Sequence, residues 1–239
     1  MSNPAPTPLD QFLCIIQSVA KKTNHPTPPH LTPLIENHAL EEIENLEAAI
    51  KVAGQDFEDA QCACLFENII NLCIKDGRVT ERSLVLFSQE HLRLKKADAR
   101  DVEEAVETRF QTKRVFRSGE EWTLFCAGLF AIAKFDHELV AAEKAYLQQF
   151  VTDSKHIEGG EKLHAQKGEG IGEELCSFNN SQKRCFGSHA ISIMFIDGQW
   201  KGTEQEFLDA VTKRMLIVQF DVKRLMKGLH TLFNVSVFA

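Results

Sequence analysis

The chain lacks a CxxC pair, a bilayer-length apolar run, an excess of positive charge and any short catalytic motif, and each absence narrows what it can be. Its seven cysteines, Cys14, Cys62, Cys64, Cys73, Cys126, Cys176 and Cys185, are odd in number and fit neither a zinc framework nor a disulfide framework. Cys73 and Cys126 fall on apolar helical stretches, where a buried thiol acts as a small hydrophobe. Cys176 and Cys185 flank a segment read as flexible and could bridge on oxidation. The longest apolar run, LFCAGLFAIA at 124–133, is about half of what a bilayer crossing needs and is read as a buried helix. The opening MSNPAPTPLDQ has neither the basic start nor the apolar core of a signal peptide, so a reducing cytoplasm is the expected setting. A net charge of −7 argues against non-specific nucleic-acid binding, which needs a basic face. HExxH, GxSxG and a P-loop lysine are all missing, which removes the commonest hydrolase and nucleotide signatures.

What is present is helical periodicity. A chain of 239 residues lies between one large domain and two small ones. Residues 10–22, DQFLCIIQSVAKK, carry apolar residues at helical spacing with Asp10 as the expected N-cap. The segment TNHPTPPHLTP at 23–33 holds four prolines and reads as an extended tether. Residues 1–33 are accordingly set apart as an N-terminal helix plus tether, and 34–239 as the main helical domain. Within it, 34–56 reads as an acidic amphipathic helix with Leu40, Ile43, Leu46, Ala49 and Ile50 on one side. Helices are also expected at 95–110 and 219–233, and a mobile glycine-rich insert at about 158–188. The end, NVSVFA, is expected as a short strand or a tail docked on the core.

From about residue 57 the pattern repeats. Three blocks align on Asp76, Asp136 and Asp197, spaced by 60 and 61 residues. Eleven positions earlier stand Leu65, Phe125 and Phe186, and four earlier stand Leu72, Ile132 and Ile193. Three positions later come Val79, Leu139 and Trp200; ten later, Leu86, Tyr146 and Phe207; eleven later, Phe87, Leu147 and Leu208. Self-similarity at a fixed period points to one supersecondary unit used three times. In each unit an apolar helix runs to the Asp, a short turn follows and a second helix leaves, which is an αα-hairpin. Gly77 and Gly198 suit a left-handed residue after a helix end, and Thr80 and Thr203 offer hydroxyl caps for the next helix. The fold class expected is all-α, a bundle built from three such hairpins.

Seven positions after each Asp stand Ser83, Glu143 and Glu204. The second and third units therefore carry Asp-x6-Glu, and the first has lost its Glu. If two hairpins pack about a local two-fold axis, Asp136, Glu143, Asp197 and Glu204 converge. Four such charges would repel one another in a partly buried setting, and a hard cation such as Ca²⁺ or Mg²⁺ would relieve the conflict. The plainer reading stands beside it: an acid in a helix's first turn is favoured by the dipole alone, and Asp beside Gly is ordinary turn chemistry.

The stretches IAKFDHELVAAEKAYL and MFIDGQWKGTEQEFL resemble the DG-x5-E helix turns of the tellurite-resistance TerB-like family, which includes the N-terminal domain of DjlA-type membrane-anchored co-chaperones. INLCIKDGRVTERSLVLF is similar but has Ser83 at the acid position. The resemblance spans roughly 57–157 and 186–233. It implies an all-helical fold of two such hairpins whose turn Asp and Glu bind metal, which carries over to Asp136, Glu143, Asp197 and Glu204, and more weakly to Asp76. It also implies a non-enzymatic module with a divalent cation and protein partners, linked to metalloid or envelope stress. This chain departs from the pattern in having three hairpins, in Ser83, and in His137 at the Gly place of the second turn. Units two and three, which keep both acids, are the pair expected to make the site. The other expectations are a metal-free interaction or co-chaperone-like domain and, third, a carboxylate-metal enzyme.

The remaining motifs are weak. EKLH at 161–164 is one Glu-x-x-His where a di-iron site needs two. GEGIG at 168–172 has no preceding strand to make a phosphate cradle. His137 reads as a solvated turn residue and Trp200 as a core anchor. KRVFR at 113–117 reads as a solvated helix end, with a protein or a peripheral anionic-membrane contact as the alternative, since the relatives work near membranes.

Overall fold

The computed structural model describes residues 6–38, 40–133, 141–196, 209–210, 213, 219–229 and 232–238. The chain is mostly helical, as its apolar periodicity predicts. Helix α1, Pro8–Thr23, opens with proline in its first turn and is capped by Thr7 rather than by Asp10. Asp10 sits three residues in and reciprocates: its carboxylate accepts from the Thr7 backbone N–H at 2.9 Å while the Thr7 hydroxyl accepts from Asp10 N–H at 3.2 Å. This capping box satisfies two otherwise unpaired donors. Asn24, in the left-handed region at φ 53°, closes the helix.

The proline segment does not extend away from the body. Pro28 and Leu31 are buried, the His30 ring stands edge-on to Phe233 at 4.7 Å, and α2, Thr32–Asn37, follows directly. Prolines stop the regular helix, but their apolar faces still serve as core cover. The helix expected over 34–56 is split. Its second part, α3 (Leu46–Asp56), starts at an Asn45 cap whose side-chain oxygen accepts from Ala48 N–H at 3.0 Å. Leu40 and Ile43 lie in the link before it.

Helix α4, Asp59–Cys73, leads into the first Asp. The elbow there is a miniature hairpin rather than a bare turn: β1 (Ile74–Lys75) pairs antiparallel with β2 (Arg78–Val79). Its two-residue loop is Asp76 and Gly77, at φ 52° and 72°, the pair of left-handed residues that a tight hairpin loop requires. Thr80 does not cap the following helix. Its hydroxyl donates back to the Cys73 carbonyl at 2.9 Å and so closes α4. Helices α5 (Arg82–His91), α6 (Lys96–Phe110), α7 (Thr112–Val115), α8 (Gly119–Ala133) and α9 (Ala141–Phe150) follow.

The glycine-rich insert is helical too. Helix α10, Ser154–Lys167, makes the most extensive helix pair among the described residues, against α8. Its glycines provide close approach rather than mobility: a Cβ on Gly160 would lie 2.5 Å from Cys126 Cβ, inside contact distance. Two short 3₁₀ turns and α11 (Ile171–Glu174) then lead to α12, Asn180–Phe195. Helix α13, Gln219–Leu229, packs on α6 and α12. The tail is a 3₁₀ turn, Val235–Phe238, not a strand, and it does dock: Phe238 stacks on Phe12 at 4.5 Å. Packing runs α3–α1–α4–α6–α12–α8–α10, and one continuous apolar core threads all of it. No helix among the described residues is long and apolar enough to cross a membrane.

Candidate functional site

The acids singled out by spacing are only partly within view. Asp136, Asp197 and Glu204 lie outside the described residues, as do His137 and Trp200. Asp76 stands exposed on the hairpin tip. Glu143 is in the first turn of α9 and is 93% covered, a carboxylate at a helix start and largely out of water. Among the described residues no group of three or more His, Cys, Asp and Glu side chains is arranged to hold a metal. Glu161 and His164 of the EKLH motif lie on α10, and among the described residues they belong to no metal-holding group.

Two repeat units do meet at equivalent positions. Glu121 of α8 and Gln182 of α12, each fifteen before its Asp, share a 2.8 Å hydrogen bond donated by the Gln182 amide. One turn on, Phe125 and Phe186 meet edge to face at 6.2 Å. Gly128 makes this approach feasible, since a Cβ there would lie 2.6 Å from the Phe186 ring. The helices that feed the second and third acidic turns therefore start side by side.

In the basic stretch at 113–117, Lys113 and Arg114 lie exposed in the last turn of α7, a solvated helix end as expected, and Arg117 leads into α8. The Arg117 and Ser118 N–H groups donate to Glu121 Oε2 at 2.6 and 3.0 Å, and the Ser118 hydroxyl accepts from Glu121 N–H at 3.1 Å. Those backbone donors hold the Glu121 carboxyl below its usual range. Cys176 is exposed and Cys185 fully buried.

The most elaborate polar cluster was not anticipated from the repeats. Arg109, near the end of α6, is 2% exposed. Its guanidinium donates to the Asn71 side-chain oxygen and, at 3.3 Å, to the Ser192 hydroxyl. Asn71 and Ser192 are equivalent repeat positions, each five before its Asp; the second unit has Ala131 there. The rings of Phe110, Phe150 and Tyr146 lie 5.4, 5.6 and 6.0 Å from the guanidinium carbon, placing three π systems around the cation. No carboxylate among the described residues lies within ion-pair distance of Arg109, although the charge of buried Glu67 still acts on it. Burial pulls the guanidinium below its ordinary range, with Tyr146 and Glu67 acting in the opposite sense.

His189 completes the cluster. It is fully buried, with Nε2 3.0 Å from the Arg109 carbonyl and 2.7 Å from the Thr112 hydroxyl, and Nδ1 2.8 Å from the Tyr146 hydroxyl. The Thr112 hydroxyl itself donates to the Arg109 carbonyl. A carbonyl can only accept, so Nε2 carries the hydrogen and Nδ1 accepts from Tyr146. Burial first, and the Arg109 charge second, push the His189 pKa well below its usual value. The same two causes push His30 down to about 3, while burial pushes the Tyr146 hydroxyl up to about 12. A neutral imidazole is thus locked in one tautomer beside a permanent cation. Such a group orients its neighbours; with no open face toward solvent, nothing equips it as a general base.

A cavity of about 10 Å³ adjoins the cluster, lined by Pro28, His30, Arg109, Tyr146, Gln149 and Phe233 among others. Comparison of the chain with protein-family models, with curated proteins and with solved structures finds no match.

Proposed function

We propose that the chain is a non-enzymatic helical module of TerB-like type, built from repeated αα-hairpins, that binds a divalent cation and serves protein assembly. The observation that carries this reading is the side-by-side start of α8 and α12 at equivalent repeat positions, since those helices feed the two turns that retain Asp-x6-Glu. Glu143, a covered carboxylate in a first helical turn, has the chemistry and the placement of an oxygen ligand. Asp136, Asp197 and Glu204 would supply the rest of an oxygen donor set, which matches Ca²⁺ or Mg²⁺. Asp76, exposed on its hairpin tip without a partner acid at Ser83, is the weakest candidate. The bound cation would stiffen the paired hairpins and so stabilise a docking face. Leu86 offers a start for that face: it is 55% exposed where the second unit buries Tyr146.

Calorimetric titration with Ca²⁺ and with Mg²⁺ tests the reading. The wild type is expected to bind one of them, and Asp197→Ala combined with Glu204→Ala to lose it. Equal affinity in both proteins, or a wild-type melting temperature unmoved by EDTA and by excess Ca²⁺, would overturn it. The metal-free interaction module would then take its place.

A further inference from the structure

Arg109 has a feature that the repeat architecture does not require. Buried cations are ordinarily paired with carboxylates, because an unpaired charge in the interior is costly. Here the acceptors Asn71 and Ser192 contribute only neutral oxygens, and the buried acid Glu67 acts on the charge from beyond ion-pair distance. The Arg109 Nε–H is buried and has no hydrogen-bond partner among the described residues; Nε2 of His30 makes no well-aligned bond either, although the Asn68 side chain and the Leu232 backbone stand close to its ring. Both residues line a small cavity whose wall also includes Pro28 and Pro29. At about 10 Å³ it has room for one small, compact guest. Its walls are otherwise Asn71, Tyr146, Gln149, Ile196, Leu232 and Phe233, with no carboxylate among the described residues.

We propose that this cavity is a binding site for one small monovalent anion of halide size, chloride being the physiological representative. The anion accepts from the Arg109 Nε–H and, in the matching tautomer, from the His30 Nε2–H. It supplies the negative charge that the neutral oxygens of Asn71 and Ser192 leave out. Both histidines nearest the guanidinium, His30 and His189, are held neutral partly by the Arg109 charge, so the local potential favours an anion over water. The Pro28–Pro29 segment covers the guest and ties it to the packing of the N-terminal region. Polyatomic anions such as sulfate or gluconate are too large for this volume.

The test is the melting temperature at constant ionic strength in sodium chloride, sodium bromide and sodium gluconate. A ligand that binds only the folded state stabilises it in a saturable way. Chloride and bromide are therefore expected to raise the melting temperature by about 3 °C over gluconate, the size expected for roughly 1 kcal/mol in a chain of this length. Bromide in a crystal is expected to give an anomalous peak within hydrogen-bond distance of Arg109 Nε. Two variants localise the effect. Gln149→Glu places a carboxylate on the cavity wall and is expected to abolish the halide dependence while raising the melting temperature in gluconate. Arg109→Gln is expected to abolish the dependence without that rise. Identical melting in chloride and gluconate would overturn the proposal, as would a halide effect of unchanged size in Gln149→Glu, or a bromide-soaked crystal with no peak beside Arg109. None of these readouts depends on the acidic turns, so this site and the proposed divalent-cation site stand or fall separately.

Discussion

Two arginines meet helix α6, Arg109 from within its last turns inside the core and Arg224 from α13 across its partly exposed face, and their surroundings differ in kind. Arg224 reaches Asp101 at 3.3 Å and also pairs with Glu104, which Arg184 of α12 shares. Lys227, one turn on, holds Asp98 at 2.6 Å and Asp101 at 3.2 Å. Although partial burial works against it, that pair of guanidiniums keeps the Glu104 carboxyl below its usual range. Arg109 has amide and hydroxyl oxygens and aromatic faces instead. The surface set fixes how three helices lie together using charges that water already solvates. The buried set takes one charge out of water and has to satisfy it by geometry. Replaceable charge is tolerant of error at the surface and unforgiving in the core.

The largest effect separating the two regions should come from truncation. Arg109→Ala opens a side-chain-sized void and strips the Asn71 oxygen of its donor, for an expected loss of about 4 kcal/mol. Arg109→Met refills most of the space and leaves only the stranded Asn71 acceptor, since the Ser192 hydroxyl still donates to the Ser188 carbonyl at 2.9 Å; the expected loss is about 1–3 kcal/mol. Urea unfolding at neutral pH in a halide-free buffer gives both numbers. An Arg224→Ala variant as destabilised as Arg109→Ala would erase the distinction between the regions.

That distinction was hidden from the sequence for a physical reason. The repeat was legible because apolar residues recur at fixed offsets, and the structure buries Leu65, Leu72, Phe125, Ile132, Phe186 and Ile193 as that pattern demands. Asn68, Asn71, His189 and Ser192 break the same stripes. Arg109, which Asn71, His189 and Ser192 meet, comes from a helix outside the aligned positions, and only folding brings them together. A comparison of polar exceptions between units would have found the Asn71–Ser192 equivalence. Glycines misled in the opposite direction. Gly159 and Gly160 suggest mobility when read alone, but they meet Thr123 and Cys126 of a helix two elements earlier. Asp10 was legible as part of a helix start, yet its role depends on Thr7 being free to reciprocate. Of the acidic set, only Asp76 and Glu143 fall on described residues, and spacing could say that Glu143 begins a helix but not that it would be covered.

Acid should sharpen the comparison next. His189 and His30 are neutral in the fold, His30 down to about pH 3 and His189 well below its usual range. In the unfolded chain both take up protons near pH 6.5. Below that point the unfolded state binds more protons, so stability falls as pH falls, and it recovers as pH rises through 6.5. The slope approaches about 1.4 kcal/mol per pH unit for each histidine. Glu107, whose carboxyl is raised first by burial, takes up its proton earlier in the fold and offsets part of this loss. Asp10, held at about 2 mainly by its bonds to Thr7, adds its own loss only below about pH 4. Unfolding free energies between pH 7 and 5 are therefore expected to decline in the wild type and to decline less steeply in His189→Gln. An equal slope in the two proteins would remove His189 from the acid response.

The smallest effect belongs to the surface set, and it is the one that salt should control. Arg224→Ala frees Asp101 and part of Glu104, but Lys227 and Arg184 still hold the same two carboxylates. Redundancy of this kind spreads the loss, and partly exposed ion pairs are worth little one at a time. The expected drop in melting temperature is about 2 °C at low ionic strength. At about 1 M salt the screening length shrinks to roughly 3 Å, and the drop is expected to halve. Sodium gluconate is the salt to use, because chloride would act at Arg109 as well and mix the two regions. A deficit that stayed constant from low to high gluconate would mean that Arg224 works through the packing of its aliphatic stem against α6 rather than through its charge, and the two arginines would then differ in burial alone.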